Sequence, residues 1–143
     1  MRIAACIAAA GLALLAAGAR AEESAAVKPV VVTTILSTTT TAAGQPIRLP
    51  QGDITLSVSD YRIAPGARLP VHMHPFPRYA YVLEGTIAVT LPDSGQRFVY
   101  HQGDVIVEVV GLWHYGVNEG TTPVRLIVFD QVPGNTPATV LKP

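Results

Sequence analysis

The sequence predicts an all-β fold, a single small antiparallel β-barrel or jelly roll, and three observations lead there. All twelve prolines and ten of the twelve glycines fall after residue 21, so the longest stretch free of both is Val30 to Ala43. That stretch is rich in Val, Thr and Ile, which favour strands over helices, and no long helix has room elsewhere. Apolar and polar residues also alternate with period two in several short runs, as half-buried strands do. Finally, the runs are separated by turn residues at a spacing of roughly 8–12 residues, the rhythm of sandwiches and barrels. A chain of 143 residues is the size of one domain.

Residues 1–21 are read as an export signal. Met1-Arg2 is a short basic start, Ile3 to Leu15 an apolar, alanine-rich core, and Ala19-Arg20-Ala21 a small-residue cleavage site. The apolar run is too short for a spanning helix. Removing 21 residues leaves 122, with eight basic against ten acidic side chains, a net charge of −2. That balance gives no electrostatic reason to expect nucleic acid or anionic lipid as a partner. The only cysteine, Cys6, leaves with the signal, which excludes a disulfide framework, a thiolate metal site and a cysteine nucleophile. The expected location is periplasmic or secreted, with no membrane association after cleavage. Residues 22–45 form an N-terminal extension, poorly ordered at its start, in which Val30 to Leu36 is expected to add an edge strand to this sheet or to a partner's. The barrel proper is assigned to residues 46–143.

Within the barrel the strands follow in order. Ile54, Leu56 and Val58 alternate with Thr55, Ser57 and Ser59. Glu84-Gly85 turns the chain into Ile87, Val89 and Leu91, which alternate with Thr86, Ala88 and Thr90. Pro92-Asp93-Ser94-Gly95 is a tight turn, because Pro presets φ at its start and Gly accepts positive φ at its end. Arg97 to His101 returns as the second strand of that hairpin. Gln102-Gly103-Asp104 turns again, into Val105 to Val110 and then His114 to Asn118. The apolar run Val124 to Val132 closes the series.

Three of the four histidines carry the chemistry. His72 and His74 are two apart, so on an extended chain they share a face, roughly 6–7 Å apart. One metal ion with imidazole bonds of about 2.0–2.1 Å can bridge them. His114 lies forty residues after His74, on a strand that an antiparallel barrel can bring opposite the pair. Three neutral imidazoles suit Zn, Fe, Ni or Cu rather than Mg or Ca. A His-x-His pair alone is more often just two solvent-facing side chains, so the glycines around it carry weight.

With those glycines the chain resembles the cupin family. The first cupin motif, G(X)5HXH(X)3–4E(X)6G, is met by Gly66, His72, His74 and Gly85. The second, G(X)5PXG(X)2H(X)3N, is met by Gly103, Gly111, His114 and Asn118, with Val109 in the proline position. Eight of ten anchors match across residues 66 to 118. The resemblance implies a cupin double-stranded β-helix with a divalent metal on His72, His74 and His114. Fe(II) is favoured, with Zn, Ni, Mn or Cu as alternatives and no metal if the site is relict. Some cupin enzymes hold iron on three histidines, which brings a dioxygenase-like reaction on a small organic acid into view. Small cupins often pair through their sheets, so a homodimer is part of the same expectation.

The departure that matters is Arg78, which occupies the position of the family's metal-binding glutamate. A guanidinium offers no lone pair and cannot be a ligand. Three roles stay open for it: pointing inward to orient a substrate carboxylate by a two-pronged hydrogen bond, swinging outward to pair with a surface acid such as Asp60 or Glu108, or placing its charge where the metal would sit. Of the remaining residues, His101 is expected at the surface of a hairpin end and Trp113 at the rim of the core or the barrel mouth. Tyr79 and Tyr81 share an outward face, and Phe76 lies between two prolines as a gate or a packing residue. Asp130 interrupts an apolar strand and needs a partner if buried, which Arg125, on the opposite face by parity, is not placed to be. The functional expectation is a metal-dependent enzyme acting on a small molecule. A non-catalytic module binding a small ligand or metal, or a structural cupin with a relict site, are the alternatives.

Overall fold

Inward-facing β-branched and aliphatic residues organise the chain, which is described here by a computed structural model over residues 30–143. The export signal expected at residues 1–21 lies outside these described residues. Nine strands run through them: β1 (Ile54–Ile63), β2 (His72–Met73), β3 (Arg78–Glu84), β4 (Thr86–Thr90), β5 (Arg97–His101), β6 (Val105–Val107), β7 (Tyr115–Val117), β8 (Val124–Pro133) and β9 (Val140–Leu141). Among the described residues there is no α-helix, so the all-β expectation holds. The sheets are a four-stranded one in the order β1-β8-β3-β6, a three-stranded one in the order β5-β4-β7, and the pair β2-β9. Every strand pairing is antiparallel. The three sheets are separate, so the barrel is not closed.

Strand parity decides what lies inside. β3 buries Arg78, Ala80 and Val82 while Tyr79, Tyr81 and Leu83 face outward, and β8 buries Val124, Leu126, Val128, Asp130 and Val132. Ile63, Ile87 and Ile106 complete one core with Ala80, Val82, Val124, Leu126 and Val128. Each large aliphatic removed from water in this way contributes roughly 1.5–3 kcal/mol. Tyr79 and Tyr81 thus take the outer face that their phase predicts.

The chain passes from the larger sheet to the smaller at Gly85. A bulge between Val82 and Glu84 shifts the β3–β8 register just before it. Gly85 has φ +79°, and a Cβ there would meet the Pro123 carbonyl oxygen at 2.7 Å. Both facts require glycine at this corner. Asn118 closes the neighbouring loop: its Nδ2 donates to the Ile63 and Thr122 carbonyls, and its Oδ1 accepts from Gly120 N–H.

Three strand expectations are corrected. In β1 the apolar set Ile54, Leu56 and Val58 is exposed, because its register with β8 sets Leu56 and Val58 beside the outer residues Gln131 and Phe129, while Tyr61 and Ile63 turn inward. Val30 to Leu36 adds no strand to this chain's own sheets; the first bridge of the described chain is Thr40 to Pro46. Gln45 ties this region down instead, donating to the Val110 carbonyl and accepting from Val110 N–H. The strand expected over Val105 to Val110 stops at Val107, because the chain bends away to deliver Val110 to Gln45 and His74.

Candidate metal centre

The three predicted histidines come together because two extended segments run antiparallel past each other. His72 and His114 are direct bridge partners and exchange backbone hydrogen bonds, His72 N–H to His114 O at 2.9 Å and His114 N–H to His72 O at 2.8 Å. Leu69 N–H to Gly116 O and Gly111 N–H to His74 O continue the contact on either side. Gly111, at φ +68°, makes the turn that aims His114 back into the site. With period two, His74 follows His72 onto the same face. The ring centroids are 4.4 Å apart for His72–His114 and 4.9 Å for the other two pairs.

Their tautomers are set by the backbone. His72 Nδ1 lies 2.7 Å from the Pro70 carbonyl, His114 Nδ1 2.9 Å from the Leu112 carbonyl, and His74 Nδ1 3.0 Å from the Ala138 carbonyl. A carbonyl only accepts, so each Nδ1 carries the proton and each Nε2 holds a lone pair. Ligand atoms of the three rings lie within 4.8 Å of one another. The Nε2 atoms of His74 and His114 are buried without a hydrogen-bond partner. Orphaned buried nitrogens are costly unless something absent from the protein chain satisfies them. Together with His72 Nε2 these give three lone pairs, each oriented through an Nδ1–H···O=C bond, a donor set that could hold a metal ion. The residues fit the ion that the sequence leads one to expect.

Sequence reasoning missed Glu108 as a part of this centre and treated it as a surface acid. Its side chain is 14% exposed, and Oε2 lies 3.1 Å from His114 Nε2 and 3.5 Å from His74 Nε2. These approaches fall off the line of a ring N–H, so they do not satisfy the nitrogens. A signal for Glu108 was present in its parity: it is two residues after the buried Ile106, so its side chain points inward from the same face.

Arg78 is inside the barrel but does not face bulk solvent or a metal-ligand position alone. Its Nε donates to Asp130 Oδ1 at 2.7 Å and its Nη2 to Asp130 Oδ2 at 3.0 Å, and Nη2 also reaches Thr139 Oγ1 at 3.0 Å. Asp130 is its direct partner across β3 and β8. The acid that pairs with Arg78 is therefore neither Asp60 nor Glu108. Asp60 binds Arg125 and Arg62 on the outer face, which confirms that Arg125 was on the wrong side for Asp130.

The electrostatics follow from burial and from these neighbours. Burial pushes the His72 imidazole below its usual value, and the charges of His114 and His74 act in the same sense. Burial also opposes charge on His114, but the Glu108 carboxylate outweighs it and raises that imidazole. For Glu108 burial acts upward, yet the two imidazoles at its oxygen hold it far below the usual carboxylate range. Arg78 is raised despite burial, by Asp130 and then by Glu108.

Next to the rings, His72, Arg78, Glu108 and His114 share a cavity of about 20 Å³ with apolar side chains of β4 and β8. That is room for about one water molecule. A second, more open space of about 120 Å³ adjoins it, bounded by Tyr61, Leu69, Pro70, His72, Arg78, Thr139 and Leu141. Trp113 borders neither space and lies beside Lys142, whose Nζ is 5.6 Å from the ring centroid. His101 is a surface residue of its hairpin, with the side chain 67% exposed. Phe76 also borders neither space.

Residues 59–130 match the model of the Cupin domain family. Germin-like protein subfamily 1 member 7 of Arabidopsis thaliana is 36% identical over 95 residues, which cover 60% of this chain and 41% of that protein. The chain thus spans about two fifths of this curated relative's length. A conserved protein with a double-stranded β-helix domain from Klebsiella pneumoniae superposes with a TM-score of 0.51 at 21% identity, covering 66% of this chain and 89% of that one. The polyketide cyclase RemF of Streptomyces resistomycificus gives a TM-score of 0.48 at 26% identity, covering 55% and 57% of the two chains.

Proposed function

Because the chain belongs to the cupin family, we propose that it is an exported cupin that holds one divalent metal ion on His72, His74 and His114 and acts as a metal-dependent, dioxygenase-like enzyme on a small organic acid. The observation that carries the metal is the convergence of three lone pairs whose opposite ring nitrogens are tied to backbone carbonyls. Fe(II) is the favoured ion, and Zn, Ni, Mn and Cu suit the same nitrogens. When bound, the ion supplies Lewis acidity or oxygen activation.

The chain's own residues do the rest. Tyr61, Leu69 and His72 wall the 120 Å³ space through which a small molecule reaches the rings. Arg78 borders that space with a guanidinium held rigid by Asp130 and Thr139, ready to orient a carboxylate with its remaining N–H groups. The apolar walls of the inner cavity keep out all but about one water. The small inner cavity also favours a second reading, a module that binds metal or a small ligand without turning it over. A homodimer through the outer sheet face is part of the proposal, supported by the exposure of Leu56 and Val58 on edge strand β1.

Elemental analysis of the purified protein tests the metal, with His72→Ala and His114→Ala alongside. The expected result is about one metal per chain in the wild type and a marked loss in both variants. Equal metal content in all three would remove the site. Oxygen consumption with a panel of small carboxylic acids then separates enzyme from binder.

A further inference from the structure

The geometry points to Glu108 as a fourth protein ligand of the metal, a carboxylate supplied from the strand beside the one on which the family motif places it. The inference rests on the three-histidine reading and adds the residue that completes it.

Its basis is the register of three neighbouring strands. Tyr79 pairs with Val107 and Ala80 with Ile106, and Glu108 N–H donates to the Arg78 carbonyl at 3.0 Å. Glu108 therefore sits directly across from Arg78, one strand away. On the other side Arg78 faces Asp130. The three inward side chains form a row of acid, base, acid. The guanidinium directs Nε and Nη2 at Asp130 and Thr139, so these donors are not spent on Glu108.

Glu108 itself is aimed at the imidazoles. Metal–ligand bonds of about 2.0–2.2 Å at the angles of tetrahedral or octahedral coordination give ligand–ligand edges of about 3.0–3.5 Å. The Glu108 Oε2 distances of 3.1 Å to His114 Nε2 and 3.5 Å to His74 Nε2 are edges of that length. Glu108 Oε2 and the two Nε2 atoms thus converge on one point, where a cation would be held by all three. Arginine at position 78 is compatible with a carboxylate ligand because the carboxylate has moved across one strand pair.

Co(II) is a suitable probe, since its visible absorption reports its ligands and its affinity is measured by titration. Wild type, Glu108→Gln and His74→Ala are compared, with circular dichroism to check the fold. Loss of an outer-sphere partner alone typically costs about 10–100-fold in affinity, so Glu108→Gln is expected to lose at least about 100-fold and to change the Co(II) spectrum. Wild-type affinity and an unchanged spectrum in Glu108→Gln, beside a loss in His74→Ala, overturn the assignment of Glu108 and leave the three-histidine site standing. No Co(II) binding by the wild type overturns both. If Glu108→Gln does not fold, a crystal structure of the Zn-loaded wild type decides: a Glu108 oxygen within about 2.2 Å of the metal supports the assignment, and one beyond about 3 Å ends it.

Discussion

Replacing Arg78 with glutamate restores the residue the cupin motif calls for, and the structure predicts damage rather than repair. The wild-type guanidinium is 5% exposed and makes two bonds to Asp130, at 2.7 and 3.0 Å, with Asp130 itself 10% exposed. Removing one partner of a buried pair costs roughly 3–5 kcal/mol, because the other charge stays behind without compensation. Glutamate puts a third acid in the row, between Asp130 and Glu108, which places the loss at the upper end of that range. At about 4 °C per kcal/mol for a domain of this size, the melting temperature should fall by roughly 16–20 °C. Thermal and urea unfolding of Arg78→Glu, followed by circular dichroism at neutral pH, measure it. The companion is the double variant Arg78→Met with Asp130→Leu, which removes both charges and should stay within about 1–2 kcal/mol of the wild type, since apolar replacement of a buried pair is often neutral. An Arg78→Glu protein as stable as the wild type would show that the Arg78–Asp130 pair is not the buried pair described here.

Metal affinity should weaken as pH falls below about 6, because ligation needs neutral imidazoles and protons then compete for Nε2. Burial, which lowers His72, keeps that ring available down to more acidic pH than a free imidazole; a titration that is flat from about pH 8 to 5 would argue against imidazole ligands. Tyr100 is pushed up to about 12 from an ordinary 10.0, by burial first and then by the charges of Glu108 and Asp104. Between those values the unfolded chain has lost the phenol proton and the folded chain has kept it, so stability is full below about pH 10 and declines as pH rises toward 12. Urea midpoints should show that decline in the wild type and a shallower one in Tyr100→Phe. Asn118→Ala should cost about 1–3 kcal/mol, as it strands the buried Ile63 carbonyl and removes the partner of the Thr122 carbonyl and the Gly120 N–H; a loss under about 1 kcal/mol would mean that water replaces the amide.

Much of this was legible because period-two parity survives folding. The phase that puts His72 with His74 on one inward face is the phase observed, whereas in β1 the apolar set Ile54, Leu56 and Val58 is exposed and Ser59, Tyr61 and Ile63 turn inward, because parity gives the alternation but not which face meets the core. The glycine spacing located His114 because Gly111 has to reverse the chain at a fixed distance from it. Arg78's partner was not legible from the motif, since β3 and β8 are 52 positions apart at this pair and only their register joins them. Yet Asp130 was already marked as an inward acid in search of a base. Glu108 was missed for a related reason. Its parity with Ile106 gave the direction of its side chain, but the meeting with His74 and His114 depends on where the chain bends after Val107. Val30 to Leu36 shows the converse limit: a sequence with every strand preference joins no ladder of its own chain, because β-propensity describes fit to a neighbouring strand and does not provide one.

Residues near 140 hold the centre from behind. Ala138 offers its carbonyl to His74, Thr139 its hydroxyl to Arg78, Lys142 its N–H to the Val71 carbonyl, and β9 lies along β2. Without this segment the His74 Nδ1 proton would lose its carbonyl acceptor and Arg78 one of its two side-chain partners. The aim of the centre therefore depends on a stretch that itself contributes no histidine.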